Sequence, residues 1–178
     1  MIFMKKALII VDYQNDFVSG SLGFPAAPSL EENICKKAEI YQKNGDDILF
    51  TFDTHDSDYL KTEEGKNLPI THCLRASKGW QLYGKVADYC NGSTKSFEKN
   101  TFPSLELGNY LKQQKYDAIE LVGLVSNICV LSNAVIAKAA LPNAHIIVDA
   151  ACTAGADPIL HEKALDILEG LHVEVTHR

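Results

Sequence analysis

Several features are missing from this 178-residue chain, and each absence excludes a class of function. No run of lysine and arginine stands out, and the net charge is −6 with a pI near 5.5. Affinity for a phosphate backbone needs clustered basic side chains, so no nucleic-acid partner is expected. No apolar stretch approaches the roughly 20 residues that cross a bilayer, so no membrane partner is expected either. Lys5-Lys6 followed by Ala7–Val11 faintly resembles the start of a signal peptide, but the apolar part is too short and stops at Asp12. The five cysteines (Cys35, Cys73, Cys90, Cys129, Cys152) are odd in number and lack tight paired spacing. That argues against a disulfide framework and for reduced thiols in a cytoplasm. Internal repeats and low-complexity segments are also absent. The length allows one full core and is short for two, so residues 1–178 are expected to form a single domain.

What is present is an alternation of strands and helices. Ala7–Val11 is a continuous apolar run, as expected of a parallel strand buried on both faces. Ile48–Phe52, Ser93–Glu98, Ala118–Val122, His145–Val148 and Val173–Val175 are the other expected strands. A helix opens at Pro28 or Ser29, carries Leu30, Ile34, Ala38 and Tyr41 on one face, and stops at Gly45. Further helical patterns run over Leu105–Lys115, over Cys129–Ala140, and onward from Pro158. Asp56–Asn91 is polar and irregular, and a loop that long in a compact domain is usually functional. The alternation predicts an α/β fold: three layers, α/β/α, with a doubly wound, six-stranded, mostly parallel sheet of Rossmann type. Right-handed crossovers bring all strand C-termini to one edge, where ligands bind. Asp12, Asp53, His55, Lys99 and Cys129 each fall at or just past such an end, so they are expected to converge.

The chain is organised around Leu121–Val130, which reads as strand, tight turn and helix, with Cys129 in the first helical turn. A thiol there faces unpaired N–H groups and the positive end of the helix dipole, which favour thiolate. Asp12 is a candidate base, since burial raises a carboxyl pKa, and Lys99 is a candidate stabiliser of the thiolate. Taken singly, Cys129 reads as a small buried residue, Asp12 as a turn cap and Lys99 as a surface lysine. All three at strand ends describe a nucleophilic site.

Val11-Asp12-Tyr13-Gln14-Asn15-Asp16-Phe17, Lys99-Asn100-Thr101-Phe102 and Gly123–Val130 together resemble the ordered motifs of the isochorismatase-like cysteine hydrolases. The resemblance implies that Asp12, Lys99 and Cys129 are the catalytic triad. It implies a cis peptide between Leu124 and Val125, and an oxyanion hole from the amides of Val125 and Cys129. The nicotinamidase branch also carries a metal, with an Asp-x-His pair after the second strand and a later His. Asp53-Thr54-His55 and His72 match that pattern. The further histidine of many relatives is missing between His55 and His72, and Glu64 is the candidate in its place, with Glu63 second. Such donors suit zinc, and also iron or manganese. Phe17, Phe102, Tyr13 and Trp80 are candidate walls for a planar substrate, Phe17 and Phe102 foremost. Cys152 reads as a packed small residue, and His145, His161, His172 and His177 as structural or exposed.

The function implied is hydrolysis of a small amide, nicotinamide first, through a thioester, in a homo-oligomer. The alternatives are another cysteine hydrolase of the family acting on a carbamoyl compound or different small amide, and a silent binding module. Isochorismate hydrolysis proper ranks lower.

Overall fold

The structure, a computed structural model, describes residues 4–178. β1 (Lys6–Val11) leads to the one-turn α1 (Asn15–Val18), then a 3-10 turn at Pro28–Leu30 and α2 (Glu31–Asn44). β2 (Asp47–Asp53) is followed by the short α3 (Glu63–Asn67), and β3 (Lys95–Lys99) by α4 (Leu105–Gln114). β4 (Ala118–Leu124) runs through a π-turn at Ser126–Val130 into α5 (Leu131–Ala140). β5 (His145–Ala154), α6 (Pro158–Gly170) and β6 (Glu174–Thr176) complete the chain. The sheet order is β3-β2-β1-β4-β5-β6, with every neighbouring pair parallel. The doubly wound order therefore reverses between β1 and β4, where the ligand crevice of such sheets opens.

Alternation along β1 explains the layers. Ala7, Ile9 and Val11 pack with Leu107 and Leu111 of α4, Ala134 and Ala137 of α5, and Leu165 and Leu168 of α6. Leu8 and Ile10 face the other way, onto Ile34, Ala38 and Tyr41 of α2. Each buried Leu or Ile is worth about 1.5–3 kcal/mol, and both faces of the central strand collect that stabilisation. α2 ends where Gly45 adopts φ +73 and α6 begins where the Asp157 carboxylate caps the Ile159 and Leu160 amides. Among the described residues no helix is long and apolar enough to cross a membrane.

Three elements differ from the sequence reading. β5 does not stop at Val148 but continues through a bulge to Ala154, since Leu121 pairs with Val148 while Gly123 pairs with Thr153. Asp149 can lie inside it because Lys37 Nζ sits 2.6 Å from its carboxylate and 2.5 Å from that of Glu120, to which Tyr41 also donates at 2.8 Å. The long loop holds α3 and 3-10 turns at Tyr59–Lys61 and Gly84–Tyr89, each too short to show a period. Cys129 lies in a π-turn ahead of the regular helix, not in that helix's first turn.

Candidate active site

Asp12 follows β1 directly and adopts φ +44, a left-handed conformation that aspartate tolerates better than most residues. Its carboxylate is fully buried. Thr51 Oγ1 donates to Oδ1 at 2.7 Å, and Lys99 Nζ lies 2.5 Å from Oδ2. Lys99, the last residue of β3, also reaches Cys129 Sγ at 3.7 Å, Asp53 Oδ1 at 3.6 Å and the Thr101 carbonyl at 3.1 Å. The structure thus brings Asp12, Lys99 and Cys129 into one contact cluster.

Local sequence explains how β4 delivers the thiol. Gly123 pairs with Val11 at φ +108, and a Cβ there would fall 2.0 Å from the Val11 carbonyl oxygen. The next peptide, Leu124–Val125, is cis. Ser126 Oγ meets His161 Nδ1 at 2.8 Å, and the Asn133 amide donates to the Cys129 carbonyl at 2.8 Å and the Phe102 carbonyl at 3.1 Å. Thr51, Ser126 and Asn133 escaped the sequence reading. The one available signal for Thr51 was a hydroxyl within an otherwise apolar buried strand.

Burial pushes the Asp12 carboxyl up; Lys99 and Thr51 pull it back, Asp53 adds to the rise, and the net shift is upward. Burial disfavours the Lys99 cation, but Asp12, Cys129 and Asp53 outweigh it and hold the ammonium charged. Burial also drives the Cys129 thiol well above its ordinary value; Lys99 opposes this, while Asp12 and Asp53 reinforce it. The thiolate stabilisation expected from the helix start and Lys99 is therefore outweighed. The thiol rests protonated and needs a base, and Asp12 is the carboxylate in its cluster.

Beside this cluster stands a second. Asp53 closes β2, His55 follows it, Glu64 comes from α3 and His72 from the loop. Asp53 Oδ2 is 3.0 Å from His55 Nε2 and 3.2 Å from His72 Nε2, and Glu64 Oε1 is 3.7 and 3.6 Å from the same nitrogens. One donor atom from each residue lies within 4.8 Å of all the others. The cluster fits a cation on two further observations. His72 Nδ1 donates to the Ile70 carbonyl at 2.8 Å, which fixes Nε2 as the ring atom that faces the carboxylates. Glu64 Oε2 is buried with no hydrogen-bond partner among the described residues. Burial opposes the charge on Asp53, yet His55, His72 and Lys99 hold its pKa below the ordinary carboxylate value. Burial and Asp53 push Glu64 up, against His55, His72 and Lys99. Glu63, the second candidate, instead points outward and pairs with Lys66 at 3.4 Å.

Both clusters open on one cavity of about 250 Å³, to which Cys129, Asp53, Glu64 and His72 contribute. Its walls are apolar, from Phe17, Leu22, Phe24, Leu68, Phe102, Val125, Ile128 and Leu160. Phe17 and Phe102 line it as nominated. Tyr13 and Trp80 do not line it: Tyr13 is core and donates to the Ala27 carbonyl at 2.7 Å, while Trp80 packs on Phe52 and donates to Thr54 at 2.8 Å. Leu22 and Phe24 were missed because they sit in a glycine- and proline-rich stretch with no periodicity. Cys152 is packed in the core, its thiol pushed up to about 12 by burial.

Known proteins share this architecture. The isochorismatase family protein PncA of Bacillus subtilis (strain 168) is 31% identical over 144 residues, which cover 74% of this chain and 78% of that protein. The crystal structure of nicotinamidase/pyrazinamidase PncA from Bacillus subtilis superposes with a TM-score of 0.87 at 28% identity, covering 97% of this chain and 99% of that one. The pyrazinamidase of Pyrococcus horikoshii in complex with zinc gives a TM-score of 0.85 at 19% identity over 98% and 99%, a likeness of fold. The family model for the isochorismatase domain matches residues 6–178, and the chain belongs to the isochorismatase family.

Proposed function

We propose that the chain is a cysteine-dependent amidohydrolase of nicotinamidase type, cleaving nicotinamide to nicotinate and ammonia. One observation carries this reading: the Asp12–Lys99–Cys129 cluster and the Asp53–His55–Glu64–His72 cluster meet at one apolar cavity, with Lys99 in contact with both. The cavity suits a small planar ring, and the PncA relatives support an amide substrate.

Asp12 takes the Cys129 proton, and Lys99 balances the negative charge as it moves from carboxylate to sulfur. The thiolate adds to the carboxamide carbon, and the carbonyl electron pair moves onto oxygen, toward the Val125 and Cys129 amides. The C–N bond then breaks as Asp12 returns the proton to nitrogen, and ammonia leaves a thioester. Water gives a proton to Asp12 and its oxygen to the acyl carbon, and the C–S bond breaks. The acid departs and Asp12 restores the thiol. Asp53, His55, Glu64 and His72 would hold a divalent transition metal, zinc first and iron or manganese on the same donors. When bound, that ion supplies a Lewis-acid anchor for a ring nitrogen, which orients the carboxamide. Phe17 and Phe102 flank the ring and keep water out.

We read residues 1–178 as one domain that works as a homo-oligomer in a reducing cytoplasm, in keeping with five free cysteines. Ammonia release from nicotinamide, pyrazinamide and small ureides, with Cys129→Ala as control, tests the function. Nicotinamide is expected to be turned over fastest. A ureide turned over fastest would move the chain to the carbamoyl hydrolases, and no release from any of them would refute amide hydrolysis.

A further inference from the structure

We propose that Gln14 and Asp16 are positioning residues that hold three members of the metal-type quartet, Asp53, His55 and His72, in place from behind. This rests on the metal reading above. Three of the four donors leave the sheet for irregular chain or the short α3, and a loop-borne ligand is only as well placed as the bonds that tie its loop.

Four consecutive residues after Tyr13 address that problem. Gln14 is fully buried, and its amide brackets Asp53: Nε2 donates to the Asp53 carbonyl at 2.9 Å while Oε1 accepts from the Asp53 N–H at 2.8 Å. The same Nε2 donates to the Trp80 carbonyl at 2.8 Å, so one side chain ties the strand end to the far side of the loop. Asn15 Nδ2 donates to the Lys78 carbonyl at 2.8 Å. Asp16 Oδ2 accepts from the Cys73 N–H at 2.7 Å.

Cys73 is where these ties reach the ligands. It follows His72 and adopts φ +45, a conformation unfavourable for a residue with a side chain. Its carbonyl accepts from the His55 N–H at 3.0 Å. The backbone of one residue therefore links Asp16 to both histidines. The Asp16 carboxylate has no slack, because a Cβ on Gly79 would fall 2.0 Å from Oδ2, and the Asp16 N–H donates to the Gly79 carbonyl at 3.0 Å. Phe17 completes the set, its ring centroid 5.5 Å from that of His72. The single turn of α1 is what directs residues 16 and 17 at the same loop. The Asp16 carboxylate makes no hydrogen bond to Cys129 or Lys99, so its tie should govern the cation site and leave the thiol alone.

The test is calorimetric titration of the metal-free, full-length protein with zinc alone, with iodoacetamide labelling of Cys129 as a parallel readout. Asp16→Ala should bind zinc about 10–100-fold more weakly than wild type, the usual cost of losing an outer-shell partner, with Cys129 labelled at the wild-type rate. Asp16→Asn keeps one oxygen to accept from Cys73 and should restore affinity close to wild type. Gln14→Met keeps the size, loses all three hydrogen bonds and should also weaken zinc binding; if it does not fold, the Asp16 pair decides. Asp16→Ala binding as tightly as wild type would overturn the proposal. So would parallel loss of zinc affinity and Cys129 labelling that Asp16→Asn does not repair, since that marks general loosening. Wild type failing to bind zinc would overturn the metal reading itself, and the proposal with it.

Discussion

Lys99→Met is the most searching perturbation of this site. It keeps the length of the side chain and removes a charge that sits 2.5 Å from the fully buried Asp12 carboxylate and 3.6 Å from Asp53. Removing one partner of a buried ion pair costs about 3–5 kcal/mol, because the other charge is left in a poor dielectric. In a chain of this length each kcal/mol moves Tm by about 2–4 °C, so melting should fall by about 6–20 °C. The pH dependence follows from the direction of the Asp12 shift. Its folded-state pKa is already above the ordinary carboxylate value, so between that value and the folded pKa the folded state holds the extra proton and stability falls as pH rises. Lys99 is a force lowering that pKa, and its loss pushes the pKa further up and widens the window. The stability deficit of Lys99→Met should therefore be smallest in acid and grow toward neutral pH. Asp12→Asn combined with Lys99→Met should recover most of it, since the Asp12 charge is gone and Asp53 keeps its two histidine partners. Thermal melts with chelator present, at about pH 5 and about pH 8, read all three effects. A deficit below about 1 kcal/mol, the value of a surface pair, or one that does not change with pH, would refute the electrostatic account.

Asp12→Asn alone should lower turnover of the best amide substrate at least ~100-fold while the protein melts cooperatively, because it removes the proposed acceptor of the thiol proton; near wild-type ammonia release would show that another group is the base. Chelation should lower Tm, and zinc at about 100 times its Kd should return about 2.7 kcal/mol, as elemental analysis and calorimetry would show. His55→Ala and His72→Ala should each lose metal yet keep Cys129 open to alkylation, and metal retained by both would exclude the quartet. Gly123→Ala should fail to accumulate as folded protein, since its Cβ must displace the Val11 carbonyl from 2.0 Å; soluble, cooperatively melting protein would show that β4 can retreat from β1.

β1 was legible as an unbroken apolar run ended by Asp12, and β2 as one broken only by Thr51 and ended by Asp53. β3 and β4 carry Glu98 and Glu120 within them and were placed by their β-branched or aromatic residues and by the alternation with helices. Asp12, Asp53 and Lys99 stand at strand ends, so their adjacency could be read from topology before any distance was known. Ending a strand at its acid misled at Asp149, where the acid lies within the strand; only the three-dimensional position of Lys37 on α2 makes that tolerable. Short helices such as α3 complete too few turns to leave a period, yet Glu64 depends on one. The pocket wall at Leu22 and Phe24 was opaque for the converse reason: apolar residues among glycines and prolines carry no face until the loop is folded. Cys129 was read as favoured toward thiolate because the effect of a helix start is local, whereas the burial that reverses it is supplied by the whole sheet.

The register of β1 on β4, with Val11 opposite Gly123, acts as a gauge block for the chemistry. The proposed base, Asp12, and the proposed nucleophile, Cys129, are carried on opposite sides of one hydrogen-bonded seam, and a slip of two residues there would part them by about 7 Å. That dimension cannot be adjusted gradually, so variation in what the site accepts has to come from elsewhere. Leu22, Phe24, Leu68 and Leu160 bound the cavity from segments that take no part in the seam. Substrate range can be redrawn at those positions while the working distance between proton acceptor and sulfur stays as it is.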